Sequence, residues 1–227
     1  MSKQFLKMLT FTEENYLKAI FQLEEMDISK ITTNSISEKL LTTPATVSDM
    51  LQKLSGKKLV NYQKYYGVSL TNSGKKLAVN VVRKHRLWEL FLFEKLGFNW
   101  DEVHEIAEQL EHIQSEALVK RLYEFMGKPL KDPHGDPIPD EKGVFPILNT
   151  VPLSLTEIKK NALIVGVTDH RTDFLKYLQK IGLNIGIRLK IQDVISYDQS
   201  MELLIEGERN SIHISHDVAK NVLVNLL

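Results

Sequence analysis

Two groups of histidine and carboxylate residues recur at helical spacing near the middle of the chain. His85 and Glu89 are four residues apart, so a helix places both on one face. A second stripe follows at spacings of four, three and one residue: His104, Glu108, Glu111 and His112. Burying such groups is unfavourable unless they are paired or hold a cation. Mixed imidazole and carboxylate ligands suit Mn(II), Fe(II), Co(II), Ni(II) and Zn(II), so these residues are candidate metal ligands.

The same pattern also fits an acidic, solvated helix surface. The second stripe lies in the segment EVHEIAEQLEHIQSEAL, where Glu recurs at every third or fourth place, as on many exposed helix faces. Spacing alone leaves the metal site and the exposed surface equally open. The segment lacks the HExxH pattern and gives no support to a zinc peptidase. A small metallohydrolase that uses this stripe stays an alternative, and it requires an open metal position and a general base.

Composition narrows the class of protein. The 227 residues include no cysteine, which excludes a disulfide scaffold, a thiolate zinc site and a cysteine nucleophile. No apolar run reaches the roughly 18 residues that a membrane helix needs. The N-terminal residues lack the apolar core and cleavage site of a signal peptide. We therefore expect a soluble, cytoplasmic protein with no membrane partner and no organic cofactor.

Charge is unevenly distributed along the chain. Basic and acidic residues number 29 each, and this neutral total argues against a uniformly basic nucleic-acid coat. Residues 1–75 nevertheless carry 10 basic and 7 acidic side chains, residues 76–144 carry 10 and 13, and residues 145–227 carry 9 and 9. The front is basic, the middle acidic and the end neutral, which indicates divided roles and leaves room for a local DNA-binding face.

A proline-rich stretch separates two kinds of periodicity. Six of the seven prolines lie between Pro129 and Pro152. Proline breaks helices and central strands, so this stretch predicts an irregular connection and a domain boundary, in which His134 packs or hydrogen-bonds. Before it the pattern is helical, with a long helix after Ser73 and helical structure from about Asp101 to Met126, in one or two pieces.

After the boundary the period changes to that of strands. Short β-like runs read LIVGV, IRLKIQDVI, MELLIEG and SIHIS, and one short helix at about residues 171–181 interrupts them. Strands of this length bounded by Gly, Asn and Asp predict a small β barrel or sandwich.

Near the N-terminus the order of elements is that of a winged helix-turn-helix. Short helices are predicted at residues 35–41, capped by Asn34, and at residues 45–54, and a pair of short strands follows. In such a fold the second helix enters the major groove of DNA. The alternatives are that these helices simply form a small core, or that the motif contacts another protein.

The residues that the predicted winged helix-turn-helix would present to DNA are small, polar or basic. Hydroxyl groups can bond phosphates or bases, a Thr or Ala methyl can touch thymine, and lysines hold phosphates. Asp49 either accepts from a cytosine amino group or stays solvated. The candidate DNA contacts are Thr43, Ala45, Thr46, Ser48, Asp49, Gln52, Lys53 and Lys64, with Lys57 and Lys58 as further phosphate ligands.

Several ordered segments together resemble one known family. They read TEENYLKAIFQLEE, TPATVSDMLQKLSGKKLV, LTNSGKKLA, VRKHRLWELFL, VHEIAEQLEHI and DPHGDPIP. The segments are similar to the metal-dependent transcriptional regulators typified by the diphtheria toxin repressor and the manganese transport regulator. The C-terminal part resembles the SH3-like domain of their longer members, which is also found in FeoA-type proteins.

This resemblance implies a mainly α fold with a C-terminal β domain. It predicts an N-terminal winged helix-turn-helix, a helical dimerisation and metal-binding domain, and an SH3-like small β barrel. The expected limits are 1–74 for the DNA-binding domain, 75–143 for the helical domain, 144–152 for a proline-containing linker and 153–227 for the SH3-like domain.

The resemblance also implies two metal sites in each subunit. The first would use Asn15, Glu108, Glu111 and His112. The second would use His85, Glu89 and His104, to which the SH3-like domain would add His170 and Asp173. Glu108 stands where iron-type members place a cysteine, and Asn15 where others use Asp or Met, with Glu14 as its alternative. An oxygen donor at position 108 favours Mn(II) over Fe(II), while Zn(II), Co(II) or Ni(II) could substitute in vitro.

The function that the resemblance implies is metal-activated repression of metal-uptake genes. The protein would bind double-stranded DNA as a homodimer on a palindromic operator, with an interface made by Leu87, Leu90, Phe91 and Phe93 and by the following helix. The ion would fix geometry and perform no chemistry, so we do not expect an enzyme.

Overall fold

The computed structural model of the chain describes residues 9–26, 30–64 and 66–227. Tyr65, at the predicted turn between the two strands of the wing, lies outside the described residues. The chain divides into two compact units. The first consists of Met1–His85, Glu111–Gln114 and Pro139–Val144, and the second of Arg86–Leu110, Ser115–Ile138 and Phe145–Leu227.

The first unit begins with helix α1, Phe11–Glu25. The helix starts here because Thr10 and Glu13 form a capping box, in which each side chain bonds the other residue's backbone N–H. Its apolar residues Leu17, Ile20 and Phe21 are buried at helical spacing. Burying an aliphatic or aromatic side chain of this size contributes about 1.5–3 kcal/mol, so this face fixes the helix in the unit.

A winged helix-turn-helix follows, as the sequence predicts. Its elements are α2 (Thr33–Lys39), α3 (Pro44–Gly56), β1 (Val60–Gln63) and β2 (Gly67–Leu70), with β1 and β2 antiparallel. The predicted cap Asn34 is wrong: Thr32 caps α2, because its side chain accepts from the Ser35 N–H in a reciprocal capping box. Thr43 caps α3, and Pro44 stands at the first helical position, where no N–H is needed.

The middle of the chain is helical. The long helix α4 spans Asn72–Leu96. The helix predicted between about Asp101 and Met126 is two helices, α5 (Val103–Leu110) and α6 (Glu116–Phe125). They are separated because Ser115 caps α6 and starts a new helix.

The C-terminal part of the second unit contains an antiparallel sheet. Its strands are β3 (Val151–Pro152), β4 (Asn161–Val167), β5 (Arg188–Val194), β6 (Met201–Ile205), β7 (Ile212–Ile214) and β8 (Val222–Leu226). Helix α7 (Thr172–Lys180) follows β4, and the short helix α8 (His216–Ala219) precedes β8. The order across the sheet is β3-β8-β4-β5-β6-β7. Apolar residues of the strands and of α7 form one core, which includes Ile164, Leu178 and Leu203.

The sheet does not close into a barrel. Among the described residues, β3 and β7 each pair with a strand on one side only, so the predicted barrel is corrected to an open six-stranded sheet. Closure requires every strand to pair on both sides. Strand β3 has only two residues and pairs with β8, while β7 has three and pairs with β6.

The turn at residues 132–137 is packed directly against β4. Gly135 has φ +93°, and a Cβ at this position would lie 2.4 Å from Gly166 Cα, so only glycine fits. The His134 carbonyl accepts a hydrogen bond from Val167 N at 2.8 Å. These contacts hold the Asp132 and His134 side chains in fixed positions within the second unit.

Candidate metal centres and DNA-binding surface

The first unit brings together a cluster of buried charged side chains from three segments. Helix α1 supplies Glu14, Asn15 and Lys18, helix α4 supplies Lys84 and His85, and the segment after α5 supplies Glu111 and His112; we call these residues the first cluster. Asn15 is half-buried and the others are buried.

Glu111 is the centre of this cluster. Its Oε2 atom accepts a hydrogen bond from Lys18 Nζ at 2.7 Å and lies 2.6 Å from His85 Nδ1. Its other oxygen, Oε1, is buried and has no hydrogen-bond partner among the described residues. The predicted ligands Glu111 and His85 therefore meet directly.

His112 is held by Glu14. The His112 Nδ1 atom lies 2.6 Å from Glu14 Oε2, and the Phe11 ring stacks on the imidazole at a centroid distance of 4.5 Å. Donation of the Nδ1 hydrogen to Glu14 leaves the Nε2 lone pair on the other side of the ring, 3.9 Å from Glu111 Oε1. Glu14 therefore orients His112, as carboxylates that support metal-binding histidines do.

Asn15 presents a second unsatisfied oxygen. Its Oδ1 atom is buried, and no described residue donates a hydrogen bond to it. Buried polar atoms are nearly always hydrogen-bonded, so each exception calls for a reason. Two such oxygens, Asn15 Oδ1 and Glu111 Oε1, and one imidazole nitrogen fit the donor set of a hard divalent cation.

Glu108 lies on α5, in the second unit. It is half-buried, and its Oε1 atom lies 3.5 Å from His104 Nε2. Glu108 precedes Glu111 by three residues and His112 by four, which is the helical spacing on which it was predicted as a ligand.

The second unit contains a different cluster around Glu89, which we call the second cluster: Arg86, Glu89, His104, Asp132, His134, Asp136 and His170. Glu89 Oε1 lies 3.1 Å from His104 Nδ1, as the stripe of residues predicted. Its Oε2 atom lies 3.8 Å from His134 Nδ1. Candidate ligand atoms of Glu89, Asp132 and His134 all lie within 4.8 Å of one another, and all three side chains are buried.

Asp132 and His134 were not predicted as ligands. His134 Nε2 donates to the Trp100 carbonyl at 2.7 Å, which leaves Nδ1 as the nitrogen that can lose its proton and bind a cation. Asp132 Oδ1 accepts from the backbone N–H groups of His134 and Asp136. Asp132 Oδ2 and His134 Nδ1 are buried without a hydrogen-bond partner in the described part of the chain. The sequence feature that could have identified them as ligands is an Asp and a His within a turn that contains Gly and Pro.

Burial and charge together raise the pKa values of Asp132 and His134 in the second cluster, and burial lowers the pKa of His170 in the same cluster. Burial, and then the negative charges of Asp136 and Glu89, raise the pKa of Asp132 above its usual range. Burial alone lowers the pKa of His134, but attraction to the nearby carboxylates of Glu89 and Asp132 and the hydrogen bond to the Trp100 carbonyl raise it to about 9. Arg86 is the main counter-charge, with NH2 donating to Asp136 at 3.0 Å and NH1 to the Pro137 carbonyl.

The two ligands predicted from the SH3-like domain differ in placement. The His170 ring stacks on His134 at a centroid distance of 4.8 Å, and His170 Nε2 lies 4.0 Å from Asp136 Oδ2. Asp173 is exposed in the first turn of α7. The structure therefore brings His170, and not the exposed Asp173 carboxylate, beside the second cluster.

The predicted DNA-contacting residues lie on one exposed surface of α3 and at the end of β1. Thr43 Oγ1 caps α3 and is 2.9 Å from Thr46 Oγ1, and Ser48 Oγ donates to the Pro44 carbonyl. Ser48 is half-buried, while the other predicted contacts are exposed: Thr43, Ala45, Thr46, Asp49, Gln52, Lys53 and Lys64.

One buried carboxylate joins α1 to α3. Glu13 Oε1 pairs with Lys57 Nζ at 2.5 Å and with Lys53 Nζ at 3.2 Å. Burial alone raises the pKa of the Glu13 carboxyl group. Hydrogen bonds from Lys57 and from the Thr10 N–H outweigh this effect and lower the pKa to about 2. The start of α1, which carries Glu14 and Asn15, is thereby fixed to the predicted recognition helix.

Within the described ranges, no helix is long and apolar enough to cross a membrane.

Family models match three successive parts of the chain. The iron-dependent repressor N-terminal DNA-binding domain matches residues 8–68, the iron-dependent repressor metal-binding and dimerisation domain matches residues 71–140, and the FeoA domain matches residues 151–226. The first two models are those of metal-dependent DNA-binding transcriptional repressors, a family of repressors and not of enzymes.

Full-length similarity identifies the family. The iron-dependent repressor IdeR of Mycobacterium tuberculosis (strain ATCC 25618 / H37Rv) is 36% identical over 228 residues, which cover 95% of this chain and 97% of that protein. The chain belongs to the iron-dependent repressor family, which includes the diphtheria toxin repressor. The diphtheria toxin repressor of Corynebacterium diphtheriae is 34% identical over 141 residues, covering 61% of this chain and 62% of that protein.

A solved structure supports the same assignment. A manganese-dependent transcriptional repressor in complex with manganese matches with a TM-score of 0.84 and 31% identity, covering 95% of this chain and 100% of that chain. Relatives of this chain are thus named for iron and for manganese.

Proposed function

We propose that this protein is a Mn(II)-responsive repressor that binds a palindromic operator as a homodimer and controls metal-uptake genes. The observation that carries the metal assignment is the pair of buried oxygens, Asn15 Oδ1 and Glu111 Oε1, that lack hydrogen-bond partners among the described residues of a chain without cysteine. Oxygen and imidazole donors suit Mn(II), whereas thiolates select softer ions. The manganese-bound relative supports this choice. Fe(II) is the alternative, because the M. tuberculosis relative is named iron-dependent.

We assign the first metal site to Asn15, Glu108, Glu111 and His112. The orientation of His112 by Glu14 supports Nε2 as its ligand atom, and also supports Glu14 as the orienting residue and not as a replacement for Asn15. Glu108 is included on its spacing along the chain.

We assign the second site to Glu89, Asp132 and His134, with His104 and His170 as further ligands. The buried, unsatisfied Asp132 Oδ2 and His134 Nδ1 support this set. His85 is kept as a candidate on its spacing from Glu89. The exposure of Asp173 argues for Asp132 in the role that the family resemblance implies for Asp173.

The mechanism follows from the position of α1. The bound ion supplies positive charge and fixed ligand positions, and it takes part in no reaction. Asn15 on α1 and His112 would then be held together, and Glu13 transmits the position of α1 to Lys53 on α3 and to Lys57 directly after it. Metal and DNA promote each other's binding through this linkage, typically by ~1–3 kcal/mol.

DNA recognition requires two copies of α3. On a palindrome the two recognition helices lie about one helical turn apart, near 34 Å. The exposed residues Thr46, Asp49 and Gln52 would face the bases. Lys53 is half-exposed and paired with Glu13, so we assign it a structural role as well as a phosphate contact.

The dimer face proposed from sequence needs revision. Leu87 and Leu90 are buried within the protomer and therefore do not supply it. Exposed apolar residues of the same unit support a face made by α4 and α6: Phe93, Leu96, Leu118 and Phe125.

We also propose domain limits of 1–74, 75–143 and 153–227, joined by a linker at 144–152. The limits of the matched family models at 8–68, 71–140 and 151–226 support these boundaries.

The test is an operator-binding titration of the metal-free protein with Mn(II), Fe(II), Zn(II), Co(II) and Ni(II) in turn. Salt-dependent operator binding that is tightest with saturating Mn(II) supports the proposal, because an N/O site binds Mn(II) itself less tightly than the other ions and the concentration needed is no guide. Activation by Fe(II) alone contradicts the manganese assignment. Glu108→Ala should abolish activation, while Glu105→Ala, an exposed carboxylate on the same helix, is the matched control.

A further inference from the structure

Lys18 is a buried lysine inside the first cluster. It lies on α1, three residues after Asn15, and is 5% exposed. Its ammonium donates to Glu111 Oε2 at 2.7 Å, which is the same oxygen that lies 2.6 Å from His85 Nδ1. Lysine is almost never fully buried unless it is paired, so the ion pair with Glu111 accounts for the buried position of Lys18.

The ion pair leaves Glu111 with two unlike oxygens. Oε2 is occupied by Lys18, whereas Oε1 is buried without a partner in the described residues and lies 3.9 Å from His112 Nε2. A cation bound through Oε1 would therefore share the carboxylate with the Lys18 ammonium. Two positive charges on one carboxylate repel each other, and burial strengthens this repulsion because water screens it less.

A second lysine completes the charge balance of the cluster. Lys84 is buried, with Nζ 3.9 Å from Glu14 Oε1 and 3.4 Å from the Ile113 carbonyl. The carboxylates of Glu14 and Glu111 thus face the ammonium groups of Lys18 and Lys84. With neutral histidines, the charges of these four residues cancel, and Glu108 is the one further carboxylate that we assign to the site.

We propose that Lys18 is an internal counter-cation that lowers the affinity of the first site for divalent metal and so sets the metal concentration at which the protein responds. This inference rests on the proposed function, because it needs Glu111 as a ligand. Lys18 does not contact the ion; it acts through Glu111 by holding Oε2 and by repelling a second positive charge. The protein would thus respond to a rise in free metal instead of being saturated at all times.

If Lys18 only orients Glu111, removing Lys18 should change the metal affinity in the opposite direction. If Lys18 served only to orient Glu111, its removal would disorder the carboxylate and weaken metal binding. If it competes with the ion, its removal strengthens metal binding. The direction of the change in affinity therefore separates the two roles.

The experiment measures Mn(II) binding to the full-length, DNA-free protein by calorimetry for wild type, Lys18→Met, Lys18→Arg and Lys76→Met. We expect Lys18→Met to bind at the first site at least about tenfold more tightly, equivalent to about 1.4 kcal/mol. Lys18→Arg keeps the charge and should stay within about threefold of wild type. Lys76 is exposed on α4, and Lys76→Met controls for the loss of a positive charge at the surface.

Stability supplies a readout that does not depend on DNA binding. Lys18→Met leaves Glu111 buried with one partner fewer, so the metal-free variant should melt below wild type and gain more in Tm from saturating Mn(II) than wild type does. If the metal-free variant does not fold, a circular dichroism titration of its Mn(II)-induced folding replaces the melting curve.

The outcomes separate the inference from the function on which it rests. If wild type binds Mn(II) and Lys18→Met binds equally or more weakly, the counter-cation role is wrong and the proposed function stands. If neither protein binds Mn(II), both are wrong. The inference is also wrong if Lys76→Met and Lys18→Met gain equally in affinity for Mn(II), because the gain would then depend only on the net charge of the protein.

Discussion

The first and second clusters use the same residue types but differ in how their charge is balanced. In the first cluster, the carboxylates of Glu14 and Glu111 face the buried lysines Lys18 and Lys84. In the second cluster, as far as the described residues go, three carboxylates face one arginine: Glu89, Asp132 and Asp136 face Arg86.

This difference changes how each cluster behaves without metal. The second cluster attracts protons in place of a cation, since the pKa of Asp132 is raised and that of His134 rises to about 9. The first cluster uses lysine ammonium groups for the same purpose. Two sites with similar ligands can therefore differ in metal affinity because of residues that are not ligands.

The largest expected effect is on the stability of the metal-free protein. Glu111→Gln leaves the Lys18 ammonium buried without its counter-charge, and breaking a buried pair in this way costs about 3–5 kcal/mol. Asp132→Asn keeps the Oδ1 acceptor and replaces a carboxyl group whose pKa is already raised, so it should change the free energy of unfolding by less than about 1 kcal/mol. Urea unfolding of both variants without metal measures the difference. Equal losses would remove the distinction between the clusters.

The next effect concerns activation by metal. His112→Ala should abolish the difference in operator affinity with and without Mn(II), which is ~1–3 kcal/mol for typical linkage. Its control is His213→Ala, an exposed histidine on β7. Fluorescence anisotropy with labelled operator measures both variants. A His112→Ala protein that still needs Mn(II) to bind DNA would show that the first site is assigned wrongly.

A smaller effect is expected from the second cluster. His134→Ala should weaken Mn(II) binding at the second site, by about tenfold to a hundredfold if His134 is a ligand or supports one. It should leave metal-dependent operator binding detectable. Calorimetry resolves the two sites by their affinities, and a variant that retains both sites with wild-type affinities contradicts the role given to His134.

The smallest effect is expected from a substitution on the DNA-binding surface, which should leave both clusters unchanged. Thr46→Ala removes one exposed hydroxyl from α3 and should weaken operator binding by about 1 kcal/mol, the usual contribution of one hydrogen bond. Its affinity for Mn(II) without DNA should equal that of wild type. A change in that affinity would place Thr46 in the metal response instead of at the DNA surface.

Local signals predicted the elements of the winged helix-turn-helix well. The second helix, predicted at residues 45–54, is α3, Pro44–Gly56. The cap of α2 was misplaced because both Thr32 and Asn34 are good capping residues, and only the capping box with Ser35 decides between them. The predictions did not include β3, α8 and β8, which are short elements with little periodicity of their own.

Prediction of the sites depended on how far apart their residues lie along the chain. Helical spacing was sufficient to select Glu111, His112, Glu89 and His104 as candidates. It was not sufficient for Asp132 and His134, because they lie in an irregular turn whose position is fixed by contacts with β4.

The sequence by itself determined the class of chemistry and the family. Its lack of cysteine restricts the donors to oxygen and nitrogen, and its stripes of His and Glu select the helices that carry them, because helical periodicity is a local property. Tertiary structure decided which partner each donor has: Lys18 for Glu111, Glu14 for His112, and Asp132 and His134 beside Glu89. Such pairings join residues distant in sequence, and their strength depends on burial, which no local pattern specifies.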